Sequence, residues 1–285
     1  MEIIDNFPLS LLTTFRIGGN ARHVVFPSSV MDWQIALKEY SDFAVTVLGL
    51  GSNVLIRDQG IDGLVIYLGK MRNSLEWLSE TTVKVSSGVR LNYLVAEGLK
   101  RGLDVVFLSG IPGTIGGALA MNAGAMNDSF WNHVKTFKLL NRQGELVDYS
   151  RDCLRIGYRE LAGLPKDNWF VEAVLEFIPK GLEDLEKKNR DWLSKRRSSQ
   201  PLNYPNAGSI FRNPVGNYAA YLIEQAGLKG MRCGKAEISN KHANFIINLG
   251  GAKAIDVEQL MQIIQQRVLE QFGVTLCPEI KVLGI

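Results

Sequence analysis

Between Asp104 and Asp128 lie 23 residues without a single charged side chain, and this stretch constrains the chain more than any other. By count alone it is long enough to cross a bilayer. Its composition argues against that: Gly110, Gly113, Gly116, Gly117 and Gly124, with Ser109, Pro112, Thr114, Asn122 and Asn127, would strand backbone polar groups in lipid. Buried irregular backbone has to find hydrogen-bond partners. Four glycines within residues 110–117 expose a row of amides that can surround a pyrophosphate, and their apolar neighbours bury it. We therefore read the stretch as a buried loop that holds a ligand.

The rest of the composition narrows the class. At about 150 residues per domain, 285 residues suggest two domains, with one or three allowed. Hydrophobic residues at 46% and charged residues at 21% exclude a disordered or disulfide-stapled chain. The net charge of +3 is scattered, so neither nucleic acid nor a membrane surface is expected as a partner. Cys153, Cys233 and Cys277 are odd in number and far apart, which fits reduced thiols. His23, His133 and His242 lie in different segments without metal-ligand spacing, so no metal site is expected. The start Met1-Glu2-Ile3-Ile4 lacks a secretory profile, so a cytoplasmic protein is expected.

Periodicity gives an α+β chain. A short amphipathic helix is expected over 31–40, then strand-like runs at 43–48, 64–68 and 83–85. A helix over 91–101 stops at Gly102, and strands follow at 134–140 and 170–177, the first leading into a turn at Gln143-Gly144. A charged helix runs from Leu182 to about Arg197, and the prolines at 201 and 205 mark a junction. Beyond it, Asp256 can cap a helix with the apolar stripe Val257, Leu260, Met261, Ile264, Val268 and Phe272, flanked by strands at 245–248 and 280–283.

Four constellations can carry chemistry. Gly49, Gly51, Ser52 and Asn53 follow a strand, where glycine lets amides approach a phosphate; the same residues also suit a tight structural turn. The third glycine of a dinucleotide fingerprint is missing, and Val54-Leu55-Ile56 looks extended, which disfavours a Rossmann turn. The second is the glycine stretch itself. In the third, Ser209 sits in Gly208-Ser209-Ile210-Phe211-Arg212-Asn213-Pro214, either as a hydroxyl poised for proton transfer or as a turn former. It is no nucleophile elbow, because Phe211 stands where the second glycine belongs. The fourth pairs Arg159, in Gly157-Tyr158-Arg159-Glu160, with Glu279, in Cys277-Pro278-Glu279-Ile280-Lys281; taken singly, such residues are usually solvated surface groups.

Taken in order, these motifs and the opening Thr13-Thr14-Phe15-Arg16-Ile17-Gly18-Gly19 resemble the UDP-N-acetylenolpyruvoylglucosamine reductase family over essentially the whole chain. The resemblance implies a two-part FAD-binding scaffold of the vanillyl-alcohol-oxidase-like type, residues 1–70 and 71–199, plus a C-terminal α+β substrate-binding domain, residues 200–285. It implies non-covalent FAD, held by Gly49, Gly51, Ser52, Asn53, Ile111, Pro112, Gly113, Thr114, Gly116 and Gly117, with NADPH as co-substrate. The reaction implied is reduction of the enolpyruvyl ether of a UDP-sugar to UDP-N-acetylmuramate, in a protein expected to be monomeric.

An enol ether resists hydride unless its carboxylate can accept the developing charge, which gives Arg159 and Glu279 a role as enolate stabilisers. Ser209 would then donate the proton, geometry compensating for its weak acidity. Residues 214–222 leave no room for the tyrosine-bearing loop of one branch, so the chain resembles the shorter-loop branch. Tyr158, Arg212, Asn213 and His242 are candidates for holding substrate by position. The alternatives are another FAD-linked dehydrogenase or oxidase on the same scaffold, or a catalytically silent flavin-binding module. Neither needs Arg159, Ser209 and Glu279 together.

Overall fold

The apolar periodicities of the sequence become six helices among the described residues: α1 (Val30–Glu39), α2 (Leu91–Lys100), α3 (Ile115–Met121), α4 (Leu182–Ser199), α5 (Ala219–Gln225) and α6 (Ala254–Phe272). The structure, a computed structural model, describes residues 1–71 and 74–285. Its contacts divide into two units. The first comprises Met1–Ile4, Val24–Leu50 and Leu64–Lys195; the second comprises Asp5–His23, Gly51–Gly63 and Arg196–Ile285.

The first unit is built on a five-stranded antiparallel sheet in the order Leu75–Trp77, Thr82–Ser86, Asn168–Glu176, Val134–Asn141, Leu146–Asp148. A register shift between Phe170 and Glu172 interrupts the alternation along Asn168–Glu176, so Phe170 as well as Ala173 and Leu175 turns into a core with Val85, Leu94, Leu119, Trp131 and Phe137. Trp131 meets the edges of Phe137 and Phe170 at 5.2 and 6.0 Å between ring centres. Helix α2 buries Leu91, Leu94, Val95 and Gly98; a Cβ on Gly98 would stand 2.8 Å from Val105 Cγ1, so the glycine lets the helix lie on Val105. A second cluster joins Trp33 and Leu37 of α1 to Leu64, Ile66, Leu140 and Val171. There Val45–Leu48 runs parallel to the latter half of Ile61–Tyr67, Val45 opposite Leu64 and Leu48 opposite Tyr67.

The uncharged stretch is not wholly loop, as its glycines suggested, because α3 forms inside it. Thr114 caps α3, its side chain accepting from the Gly117 amide at 3.3 Å. The Ile115 and Gly116 amides donate to the carbonyls of Val89 and Ser87, each at 2.8 Å. These tertiary bonds offset the poor helix propensity of two glycines.

The second unit draws its core from all three of its chain segments: Phe15 and Ile17, Leu55, and a large set including Phe211, Ile238, Ile246, Val257, Leu260 and Ile264. Strand Lys281–Leu283 pairs in parallel with Val54–Ile56, so that segment is extended as its sequence indicated. Arg232–Cys233, Ala236–Ile238 and Ile246–Asn248 form a small antiparallel sheet. Helix α6 buries the expected stripe except Phe272, which is 39% exposed. Asp256 is not its N-cap but lies one turn inside, where its carboxylate accepts from the Lys253 amide at 3.0 Å. The capping carboxylate is that of Asp58, which accepts from the amides of Ala254 and Ile255 at 2.8 and 3.1 Å.

Candidate functional site

In the first unit the two glycine motifs meet. A Cβ on Gly49 would stand 2.5 Å from Thr114 Oγ1, so only glycine leaves room for the threonine that caps α3. Gly116 lies close to Ser87, with 3.0 Å between a notional Cβ and the serine Cβ. The amides of this stretch are not all available. Those of Ile111, Ile115, Gly116 and Gly117 are committed to Leu108 O, Val89 O, Ser87 O and Thr114 Oγ1. Among the described residues the amides of Gly113 and Thr114 make no hydrogen bond, and neither do the buried hydroxyls of Ser87 and Ser109. Unsatisfied donors in a glycine-lined cradle are what a diphosphate-bearing cofactor requires, so these residues fit FAD.

Arg159 is placed by a short hairpin. Arg155–Gly157 and Glu160–Ala162 pair antiparallel with Gly157 opposite Glu160, leaving Tyr158 and Arg159 as the turn. Arg159 has φ +53° there. Its guanidinium donates to the carbonyl of Asn122 at 3.0 Å and to that of Gly124. Tyr158 is exposed, its ring centre 5.3 Å from the Arg159 Cζ.

In the second unit the backbone brings the segments that carry Ser209 and Glu279 alongside each other. Phe211 bridges to Pro278, the Glu279 amide donates to Ile210 O at 2.7 Å, and the Arg212 amide donates to Cys277 O at 2.9 Å. Antiparallel pairing of 210–212 with 277–279 therefore seats Ser209 one residue from the partner of Glu279. Gly208 supplies the turn into this segment with φ +78°. On the other side, buried Asn244 clamps the same backbone: its carbonyl accepts from the Ile210 amide at 2.9 Å, its Oδ1 from the Phe211 amide at 3.0 Å, and its Nδ2 donates to Phe211 O at 2.7 Å. Asn53 joins this group, its Nδ2 donating to Glu279 O at 3.1 Å and its carbonyl accepting from the Lys281 amide at 2.9 Å. Gly51 and half-buried Ser52 precede it in the same unit, and Gly51 accepts at its carbonyl from the Thr14 amide at 3.2 Å.

Half-buried Arg212 follows Phe211 directly, while Asn213 spends its Oδ1 on the first amide of α5, that of Ala219, at 3.1 Å. His242 is half-buried against the Phe245 ring, 4.7 Å between centres. Burial holds its imidazole below the usual histidine range. Its Nδ1 accepts from the Asn244 amide at 3.3 Å, which puts the proton of the neutral ring on Nε2.

Asn122 and Asn244 are functional candidates that pattern reading missed. The signal was present: each is a lone polar residue among small or apolar neighbours, and such a residue is buried only when hydrogen-bonded.

A family model for the FAD binding domain matches residues 21–150, and one for the UDP-N-acetylenolpyruvoylglucosamine reductase C-terminal domain matches residues 200–283. The UDP-N-acetylenolpyruvoylglucosamine reductase of Alkalilimnicola ehrlichii is 40% identical over 279 residues, 97% of this chain and 93% of that protein. The chain belongs to this family. Other UDP-N-acetylenolpyruvoylglucosamine reductases, from Legionella pneumophila and Coxiella burnetii, are 39% and 38% identical over 99% of the chain. The crystal structure of the Thermus caldophilus family member superposes with a TM-score of 0.82 at 30% identity, covering 99% of this chain and 98% of that one. Membership makes the chain an oxidoreductase with an FAD-binding domain, in the α+β architecture the sequence suggested. Among the described residues no helix is long and apolar enough to cross a membrane, and no cluster of ligating side chains could hold a metal ion.

Proposed function

We propose that the chain reduces the enolpyruvyl ether of UDP-N-acetylglucosamine enolpyruvate to UDP-N-acetylmuramate, using FAD and NADPH, as a monomer in the cytoplasm. Residues 1–70 and 71–199 serve the flavin and residues 200–285 the substrate. Bound FAD would supply hydride chemistry, passing reducing equivalents from NADPH to the terminal carbon of the enol ether. Charge then accumulates on the substrate carboxylate. Arg159 and Glu279 stabilise that enolate, the first by its fixed positive charge and the second by hydrogen bonding. Ser209 donates the proton that completes the lactyl ether, a role open to a weak acid because the enolate carbon is strongly basic and the hydroxyl is held in place. Tyr158, Arg212, Asn213 and His242 grip the UDP-sugar; Gly49, Gly51, Ser52, Asn53 and the glycine stretch from Ile111 to Gly117 hold FAD.

The observation that supports this reading is the pairing of 210–212 with 277–279 in a chain of this family, since it brings the chain segments that carry Ser209 and Glu279 alongside each other. The test is anaerobic. NADPH should bleach the bound flavin, and the enolpyruvyl UDP-sugar should restore its colour. In Ser209→Ala bleaching should persist at the normal rate while product formation falls by about 10²-fold or more, the scale of a lost general acid. If the UDP-sugar leaves the reduced flavin unchanged while an alcohol reduces the oxidised form, the substrate assignment is wrong.

A further inference from the structure

Arg159 lies in a hairpin of three residue pairs, too short to fix its own turn, since isolated hairpins are marginal in water. Something outside the hairpin has to set where the guanidinium points. Asn122 does so from both ends. Its Nδ2 donates to the Gly157 carbonyl at 2.8 Å, where the turn begins, and its own carbonyl accepts from Arg159 Nη1 at 3.0 Å, where the turn ends. Asn122 is itself fixed. It is 3% exposed, caps α3 in the left-handed conformation with φ +44° and ψ +55°, and its Oδ1 accepts from the Trp131 amide at 3.1 Å. Trp131 is fully buried and its indole N–H donates to Leu119 O at 2.8 Å, so that anchor belongs to the rigid core.

The amide orientation is forced by these partners. Turning it over would set Oδ1 against the Gly157 carbonyl and Nδ2 against the Trp131 amide, acceptor to acceptor and donor to donor. Aspartate has the right shape but lacks the donor, and it would bring a carboxylate oxygen against a carbonyl. Asparagine is also among the few side chains that tolerate a left-handed backbone. Every polar group of this side chain is thus spent on relating the core to the Gly157–Arg159 turn.

We propose that Asn122 is a positioning residue for Arg159, setting the guanidinium where the substrate enolate develops charge. The inference rests on the role proposed for Arg159. It predicts a step-specific defect, because the guanidinium is needed only as hydride passes to the substrate and charge develops on its carboxylate. In Asn122→Asp, reduction of bound flavin by NADPH should stay within about twofold of the parent, while reoxidation by the enolpyruvyl UDP-sugar should slow by about 10- to 100-fold. Lowering the pH should partly restore reoxidation in this variant, since the introduced carboxyl, once protonated, regains a donor for the Gly157 carbonyl. Asn122→Gly keeps the left-handed backbone without strain. It should show the same split with no rescue by pH.

A second readout needs neither flavin nor substrate. With arginine ¹⁵N-labelled, the side-chain signal absent from Arg159→Lys identifies Arg159, and it should shift in both Asn122 variants. If Arg159→Lys is slow but the Asn122 variants reoxidise at the parental rate, the positioning role is overturned and the catalytic reading stands. If Arg159→Lys itself reoxidises normally, the reading of Arg159 fails first. Equal loss in both half-reactions would reduce Asn122 to a general structural residue and overturn the inference.

Discussion

Gly49 and Thr114 show how much one missing methyl can decide. The strand ending at Leu48 and the cap of α3 approach so closely that a Cβ at Gly49 would overlap Thr114 Oγ1. Gly49→Ala must push the threonine off its capping bond or shift the loop, and overpacking of this kind costs about 1–3 kcal/mol. Flavin titration of the apo-protein should show FAD affinity lowered by about tenfold or more, the equivalent of about 1.4 kcal/mol or above; unchanged affinity would remove Gly49 from the cofactor cradle. His242 supports a prediction in pH. Burial lowers its proton affinity in the folded chain relative to the ordinary value of 6.5, so the unfolded chain binds the proton first as pH falls. The contribution of neutral His242 is therefore complete above about pH 6.5 and is lost progressively below it. Denaturant midpoints at pH 7.5 and 5.5 should differ less for His242→Gln than for the parent, and equal differences would mean the ring is not desolvated on folding.

At the scale of elements, α6 separates what sequence can and cannot reveal. Its stripe was legible because a 3.6-residue period survives in one uninterrupted segment, and five of the six stripe residues named are buried. Its cap was misassigned for a physical reason. The orphan amides of Ala254 and Ile255 are satisfied by Asp58, 196 positions away from Ala254, and no local pattern carries that information. Helix α3 was missed for the complementary reason: glycine propensity argued for loop, and the bonds from Ile115 and Gly116 to Val89 and Ser87 overrode it. The site divides the same way. Amide-rich glycine motifs announce phosphate chemistry locally, whereas Arg159, Ser209 and Glu279 acquire meaning only through family resemblance, since each alone is an ordinary surface residue type. Asp58→Ala should destabilise the chain by about 1–2 kcal/mol, the cost of a lost N-cap carboxylate, read as a shift in denaturant midpoint at constant slope. A shift no larger than that of an exposed control such as Asp62→Ala would show that α6 does not depend on this cap.

At the scale of the whole molecule, the unit that carries Ser209 and Glu279 is not continuous in the chain. Its core takes Phe15 and Ile17 from near the start and Leu55 from the segment after the first glycine motif. Strand Lys281–Leu283 has Val54–Ile56 as its parallel partner, and Asn248 donates from its side chain to the Phe15 carbonyl at 3.0 Å. A fragment of residues 200–285 would keep most of the apolar residues but lose this strand partner, and it would leave the Asn248 amide with one buried donor unmatched. Removing three fully buried large side chains from a small core costs several kcal/mol, comparable to the total stability of a small domain. The fragment should therefore show no cooperative thermal transition by circular dichroism, although its boundaries are nearly those of the matching family domain. In the full-length chain Phe15→Ala should lower stability by about 3–5 kcal/mol. Cooperative unfolding of the isolated fragment would show instead that the C-terminal segment is self-sufficient, with the Asp5–His23 segment and the Val54–Ile56 strand added to a core already formed.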